Sequence, residues 1–171
     1  GVERLSPTAR AAIDAAEVLI GGQRHLALVP KGGLERLIWR TPLKDTMADI
    51  AARRGKRVVV LASGDPMWFG VGVTLARRFA RDEMTIVPQL GAFTLAAARL
   101  GWPTGDSACL TVHGRSIDQL APHLAPDARL IVLSEDGDTP AQVAAWLTAR
   151  GWGGSRLSVL SRMGGPHESR V

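Results

Sequence analysis

The chain has 171 residues, 46% of them hydrophobic, with one cysteine and a formal net charge of +5. That length buries one large α/β core or two small ones. No apolar run approaches the ~20 residues of a membrane span, and a lone thiol excludes an internal disulfide and suits a reducing cytoplasm. The charge favours an anionic partner. Arg53, Arg54, Arg77, Arg78 and Arg81 are scattered through helical segments, however, and no basic stripe is interleaved with aromatics, which argues against nucleic acid.

In chain order, Ser6-Pro7 opens a helix running to Ala16, with serine as cap and proline in the first turn. Glu17-Val18-Leu19-Ile20 reads as a strand ended by Gly21-Gly22, and Leu37-Ile38-Trp39 as a short strand. Residues 45–54 form a helix stopped by Gly55. Residues 57–62 are the best strand, followed by a glycine turn and a helix opening at Pro66. That helix puts Trp68, Val71, Leu75 and Phe79 on one face. Thr85-Ile86-Val87 is a further strand, and residues 93–100 an alanine-rich helix closed by Gly101. Gly101-Trp102-Pro103-Thr104-Gly105 breaks the pattern and marks a boundary between domains 1–104 and 105–171. Beyond it come strands at 110–113, 129–134 and 157–161, with helices at 117–124 and 140–150. Cys109 falls in a strand-like run and reads as core packing. Alternating elements imply α/β layering with parallel strands.

In such sheets ligands bind beyond the carboxyl ends of the strands, so four turns are candidate sites. The first is Ser63-Gly64-Asp65-Pro66. Asp65 there serves equally as a helix cap or as a ligand-facing carboxylate. Gly70 and Gly72 each weaken the next helix by ~1 kcal/mol relative to alanine, which points to a ligand or a neighbouring backbone packed close. The second turn is Pro88-Gln89-Leu90-Gly91-Ala92, and the third is His113-Gly114-Arg115, where arginine suits a carboxylate. The fourth holds Arg162-Met163-Gly164-Gly165-Pro166. His167-Glu168 has no second histidine at ligand spacing, so no metal site is expected. No Walker loop, dinucleotide glycine fingerprint, nucleophile elbow or Cys-x-x-Cys occurs, which argues against an ATPase, a nicotinamide dehydrogenase, an α/β-hydrolase and a zinc enzyme.

Ser63-Gly64-Asp65-Pro66 with Gly70, Pro88 to Ala92 leading to Ala98-Arg99-Leu100-Gly101-Trp102-Pro103, Leu110 to Arg115, and Met163-Gly164-Gly165-Pro166 occur in this order. Together they resemble the tetrapyrrole (corrin/porphyrin) methylase family, the class III S-adenosylmethionine-dependent methyltransferases. The His-Gly-Arg turn, Glu135 to Pro140, the Gly-Gly-Pro tail, Leu5-Ser6-Pro7 and Val18 to Leu26 resemble the branch that methylates C5 of a late precorrin in cobalamin synthesis. The resemblance covers essentially the whole chain. It implies two α/β domains with the cofactor in the cleft between them. S-adenosyl-L-methionine, leaving as S-adenosyl-L-homocysteine, would contact Ser63, Gly64, Asp65, Trp68, Gly91, Ala92, Leu133 and Met163. Asp65 is the catalytic candidate, and His113 and Arg115 would hold the anionic substrate. One departure stands out. The family opens with an apolar strand and a glycine-rich loop, whereas this chain starts at Gly1-Val2-Glu3-Arg4, so the fold is expected to lack its first strand. The branch also implies a downstream C15-methylating, decarboxylating domain, a homo-oligomer and a cytoplasmic location. The alternatives are a methylase of the same family acting on RNA or protein, and a non-catalytic ligand-binding fragment.

Overall fold

The computed structural model describes residues 5–171; the expectation placed on Gly1-Val2-Glu3-Arg4 lies outside the described residues. The chain divides into two compact units, residues 1–90 and 91–171. The expected boundary at residue 104 therefore falls inside the second unit. The reason is the helix before it: Phe93, Ala96 and Ala97 are buried against Ile131, with Trp102 packed on the same cluster.

The first unit holds α1 (Pro7–Asp14), β1 (Val18–Gly21), α2 (Gln23–Leu28), β2 (Glu35–Ile38), α3 (Leu43–Ala51), β3 (Val58–Val60) and α4 (Val71–Ala76). The start of α1 is chemically specified: Ser6 Oγ accepts the Ala9 N–H at 3.2 Å and Pro7 occupies the first turn. The three strands form a parallel sheet in the order β2-β1-β3. The middle strand carries the apolar run: Val18, Leu19 and Ile20 are completely buried, as expected for a parallel strand covered on both faces. Ala16, Leu26 and Val29 pack with Leu19, and Ile13, Leu34, Val59 and Leu61 close the cluster.

Three expectations change in this unit. Helix α2 was not anticipated; at six residues it is too short to show a hydrophobic period. Thr85, Ile86 and Val87 are not in a regular strand, because no neighbouring strand pairs with them among the described residues. The helix expected from Pro66 begins only at Val71, since residues 66–70 form a turn in which Phe69 has φ +56°. A cavity of about 840 Å³ runs along the outer side of β3, lined by residues 58–61, by Thr85, Ile86 and Val87, and by Leu75 and Phe79.

The second unit holds α5 (Ala92–Leu100), β4 (Ala108–Thr111), β5 (Leu130–Leu133), α6 (Thr139–Thr148) and the short antiparallel pair β6 (Leu160–Ser161) and β7 (Ser169–Arg170). Strands β4 and β5 pair in parallel, Ala108 opposite Leu130 through Thr111 opposite Leu133. The helix expected at 117–124 is a 3₁₀ segment, Ile117–His123, with Pro122 inside it. Proline removes one donor and clashes with the preceding turn of an α-helix. Val112, Leu120, Val143 and Trp146 form the core on one side of β4 and β5. Cys109 packs at the edge of the Phe93 cluster, and burial pushes its thiol pKa up.

Candidate functional site

Parallel order places the carboxyl ends of β1, β2 and β3 on one edge of the first unit. There β1 and β3 approach closely: a Cβ on Gly21 would lie 3.1 Å from Leu61 Cβ. The chain after β3 turns through Ser63, Gly64 and Asp65, and Gly64 has φ +58°, a conformation that costs glycine little. The turn is tied down at several points. The Gln89 N–H donates to the Gly64 carbonyl at 3.2 Å. The Met67 N–H donates to Asp65 Oδ1 at 2.8 Å, and Ser63 Oγ lies 2.8 Å from His25 Nε2.

Asp65 thus does not cap a helix. Its carboxylate closes an Asx turn onto the residue two ahead, because proline and the turn at 66–70 delay the helix. The glycines at 70 and 72 accommodate a backbone: added Cβ atoms would sit 2.6 Å and 2.7 Å from the Pro66 carbonyl oxygen. The spacing that groups Trp68 with Val71, Leu75 and Phe79 on one helix face does not hold for Trp68, which stands in the turn, 39% exposed, beside exposed Met67 and Phe69.

His25 was not singled out by its sequence context. Its Nδ1 is buried with no hydrogen-bond partner. Partial burial, and then the Arg24 cation beside it, push its pKa below the ordinary value. Only the meeting of α2 with the turn after β3 reveals this residue, because 38 positions separate it from Ser63.

In the second unit, Gly91 and Ala92 start α5. Leu133 and Met163 both pack on the Phe93 cluster of that helix, so four of the expected cofactor positions gather around one element. His113 and Arg115 follow β4, on either side of Gly114, whose N–H donates to Glu135 Oε2 at 3.4 Å. The glycine tail is anchored too. Glu168 Oε2 accepts the Gly164 N–H at 2.7 Å, and Glu168 is ion-paired with Arg99 of α5. Among the described residues, no group of three or more His, Cys, Asp or Glu side chains is placed to hold a metal. Among the same described residues, no helix is long and apolar enough to cross a membrane.

Two α/β units, each with parallel strands and glycine turns at their carboxyl ends, define a class of protein, and residues 1–171 match the model of the Tetrapyrrole (Corrin/Porphyrin) Methylases. The chain belongs to that family. It is 47% identical over 170 residues to a precorrin-6Y C(5,15)-methyltransferase [decarboxylating] from Sinorhizobium sp, covering 98% of this chain and 41% of that protein. It therefore spans about two fifths of that relative's length. It is 37% identical to the cobalt-precorrin-7 C(5)-methyltransferase of Salmonella typhimurium, over 94% of this chain and 78% of the relative. Among solved structures, the uroporphyrin-III C-methyl transferase of Thermus thermophilus, complexed with S-adenosyl homocysteine, superimposes with a TM-score of 0.68 at 25% identity, covering 99% of this chain and 76% of that one.

Proposed function

We propose that this chain transfers a methyl group from S-adenosylmethionine to a ring carbon, C5, of a late precorrin in cobalamin synthesis. One observation carries the reading. The chain matches 78% of a relative named for C5 methylation and 41% of one named for C5 and C15 together. The shared part is the C5 part, and the remainder of the longer relative would carry the C15 and decarboxylating chemistry as a downstream domain. The named relatives favour a precorrin acceptor over RNA or protein. A homo-oligomer acting in the cytoplasm belongs to the same reading.

The residues present suit the donor. The β1/β3 edge offers the exposed Ser63, the Gly64 turn at positive φ, the Asp65 carboxylate and the half-exposed Trp68 indole. This mixture of apolar surface with a few fixed polar groups is typical of a small-molecule site. Gly91, Ala92, Leu133 and Met163, all in the second unit, are the other proposed cofactor residues. When bound, the donor supplies an electrophilic sulfonium methyl group. The protein's part is alignment and exclusion of water. Asp65 keeps Oδ1 occupied by the Met67 N–H, which fixes the orientation of the carboxylate toward substrate or toward the proton released on methylation. His113 and Arg115 would engage the substrate's carboxylates, where a guanidinium binds bidentately.

Calorimetric titration with S-adenosylhomocysteine, paired with methyl transfer to a precorrin, tests the reading. Asp65→Ala is expected to cut turnover by about 100-fold or more, the range for loss of a proton-transfer group, while weakening ligand binding by no more than about tenfold, the upper worth of one ordinary hydrogen bond. Equal losses in both would leave Asp65 as a turn former only, and no binding by the unaltered chain would overturn the methyltransferase reading.

A further inference from the structure

The pairing of His25 with Ser63 has a direction. His25 Nε2 and Ser63 Oγ are 2.8 Å apart, and either side can donate, depending on the imidazole tautomer. The other ring nitrogen settles which. Nδ1 is shut off from solvent and touches no hydrogen-bond partner; it faces the backbone of Gly22, where an added Cβ would stand 3.4 Å from it. A proton on Nδ1 would be a buried donor with nothing to accept it. Orphaned buried N–H groups are rarer than under-satisfied acceptors. The proton therefore sits on Nε2 and is donated to Ser63 Oγ. A doubly protonated ring would again bury an unmatched N–H, and the depressed basicity of His25 agrees with a neutral ring.

A serine oxygen that accepts from histidine keeps its own proton to give elsewhere. Ser63 is exposed and, among the described residues, has no other hydrogen-bond partner. We propose that His25 is a positioning residue, which holds the Ser63 hydroxyl as a donor toward an acceptor atom of the S-adenosyl ligand. This rests on the methyltransferase reading above. Histidine acts here only through serine, by fixing its rotamer and the direction of its proton.

The test is a double-mutant cycle read by calorimetric affinity for S-adenosylhomocysteine on the full chain, with thermal unfolding to confirm that each variant is folded. His25→Leu is expected to weaken binding about fivefold, the worth of one ordinary hydrogen bond. In a Ser63→Ala background the same change is expected to cost less than about twofold, because there is no hydroxyl left to orient. His25→Gln, which returns an N–H donor near the Nε2 position, is expected to restore affinity to within about twofold of the unaltered chain. Equal losses in both backgrounds, or no recovery with glutamine, would overturn the proposal while leaving the methyltransferase reading intact. Failure of the unaltered chain to bind would overturn both.

Discussion

A methyl group added at Gly72 would lie 2.7 Å from the Pro66 carbonyl oxygen and 2.9 Å from Pro66 Cβ. Helix propensity alone makes Gly72→Ala a gain of ~1 kcal/mol. Overpacking against a fixed backbone costs about 1–3 kcal/mol, and here the obstacle is a carbonyl that a side-chain rotation cannot clear. The sum is expected to be a net loss of up to about 2 kcal/mol, seen as a lower urea midpoint with an unchanged slope. A midpoint at or above that of the unaltered chain would show that the turn at 66–70 yields easily. The sequence shows two glycines where a helix wants none, and so announces a close approach; it does not say what approaches. Asp65 presents the same limit: an aspartate before a proline reads as a helix cap, and only the turn that follows makes it an Asx residue. His25 was silent altogether, since the ligand of its Nε2 comes from another element. Ser6, by contrast, needs only Ala9 three residues on, and its cap was legible.

Between α2 and β2, the Arg36 guanidinium reaches back over the end of the helix. Its Nη1 donates to the Leu26 carbonyl at 2.8 Å and the Val29 carbonyl at 3.1 Å, and its Nη2 donates to the Pro30 carbonyl. These carbonyls end a helix that has no glycine cap, and arginine satisfies them. Arg36→Met keeps most of the apolar stem and removes the donors. It is expected to cost about 1–2 kcal/mol in chemical denaturation, whereas Arg24→Met, at an exposed position of α2, should stay within about 0.5 kcal/mol.

In the second unit, the 3₁₀ segment is pinned to α6 by Asp118. Its Oδ1 accepts from Trp146 Nε1 and from Arg150 Nη2, both at 2.9 Å, and the Arg150 guanidinium stacks 4.1 Å from the Trp146 ring centroid. The hydrogen bond from Trp146, then that from Ser116, hold the Asp118 carboxyl below its usual range, with Arg150 adding to the effect. A depressed carboxyl favours the folded state above the ordinary aspartate pKa of about 3.9. That contribution fades as the pH falls through the lower folded value. Acid unfolding followed by tryptophan fluorescence is expected to show this loss below about pH 4, and Asp118→Asn should flatten that part of the curve. Elements of nine or ten residues bounded by glycine or proline, such as α5 and α6, were readable from sequence to within about two residues, an ordinary boundary error. Residues 85–87 were not, because a strand is a relation between segments: the β-branched pattern is present and the partner is not among the described residues.

Across the whole molecule, both units repeat one arrangement: parallel strands leading to turns at their carboxyl ends, on which the candidate residues sit. The fold class and these turns were legible because each strand ends at glycine or a polar turn. The division at residues 90 and 91 was not, since assigning α5 to the second unit depends on Phe93 meeting Ile131. The sheet of the first unit also sets a clock for solvent exchange. The Leu61 N–H donates to the Ile20 carbonyl at 2.7 Å, and amides alternate sides along a strand. Val59 therefore points its N–H at β1, while Val58 and Val60 point theirs outward, toward the cavity, where no described strand receives them. In deuterium oxide the two outward amides are expected to exchange well before Val59, Leu61 and the amides of Leu19 and Ile20, so that a single three-residue strand carries both fast and slow protons. Uniform protection across residues 58–61 would show that its outer edge is covered in solution.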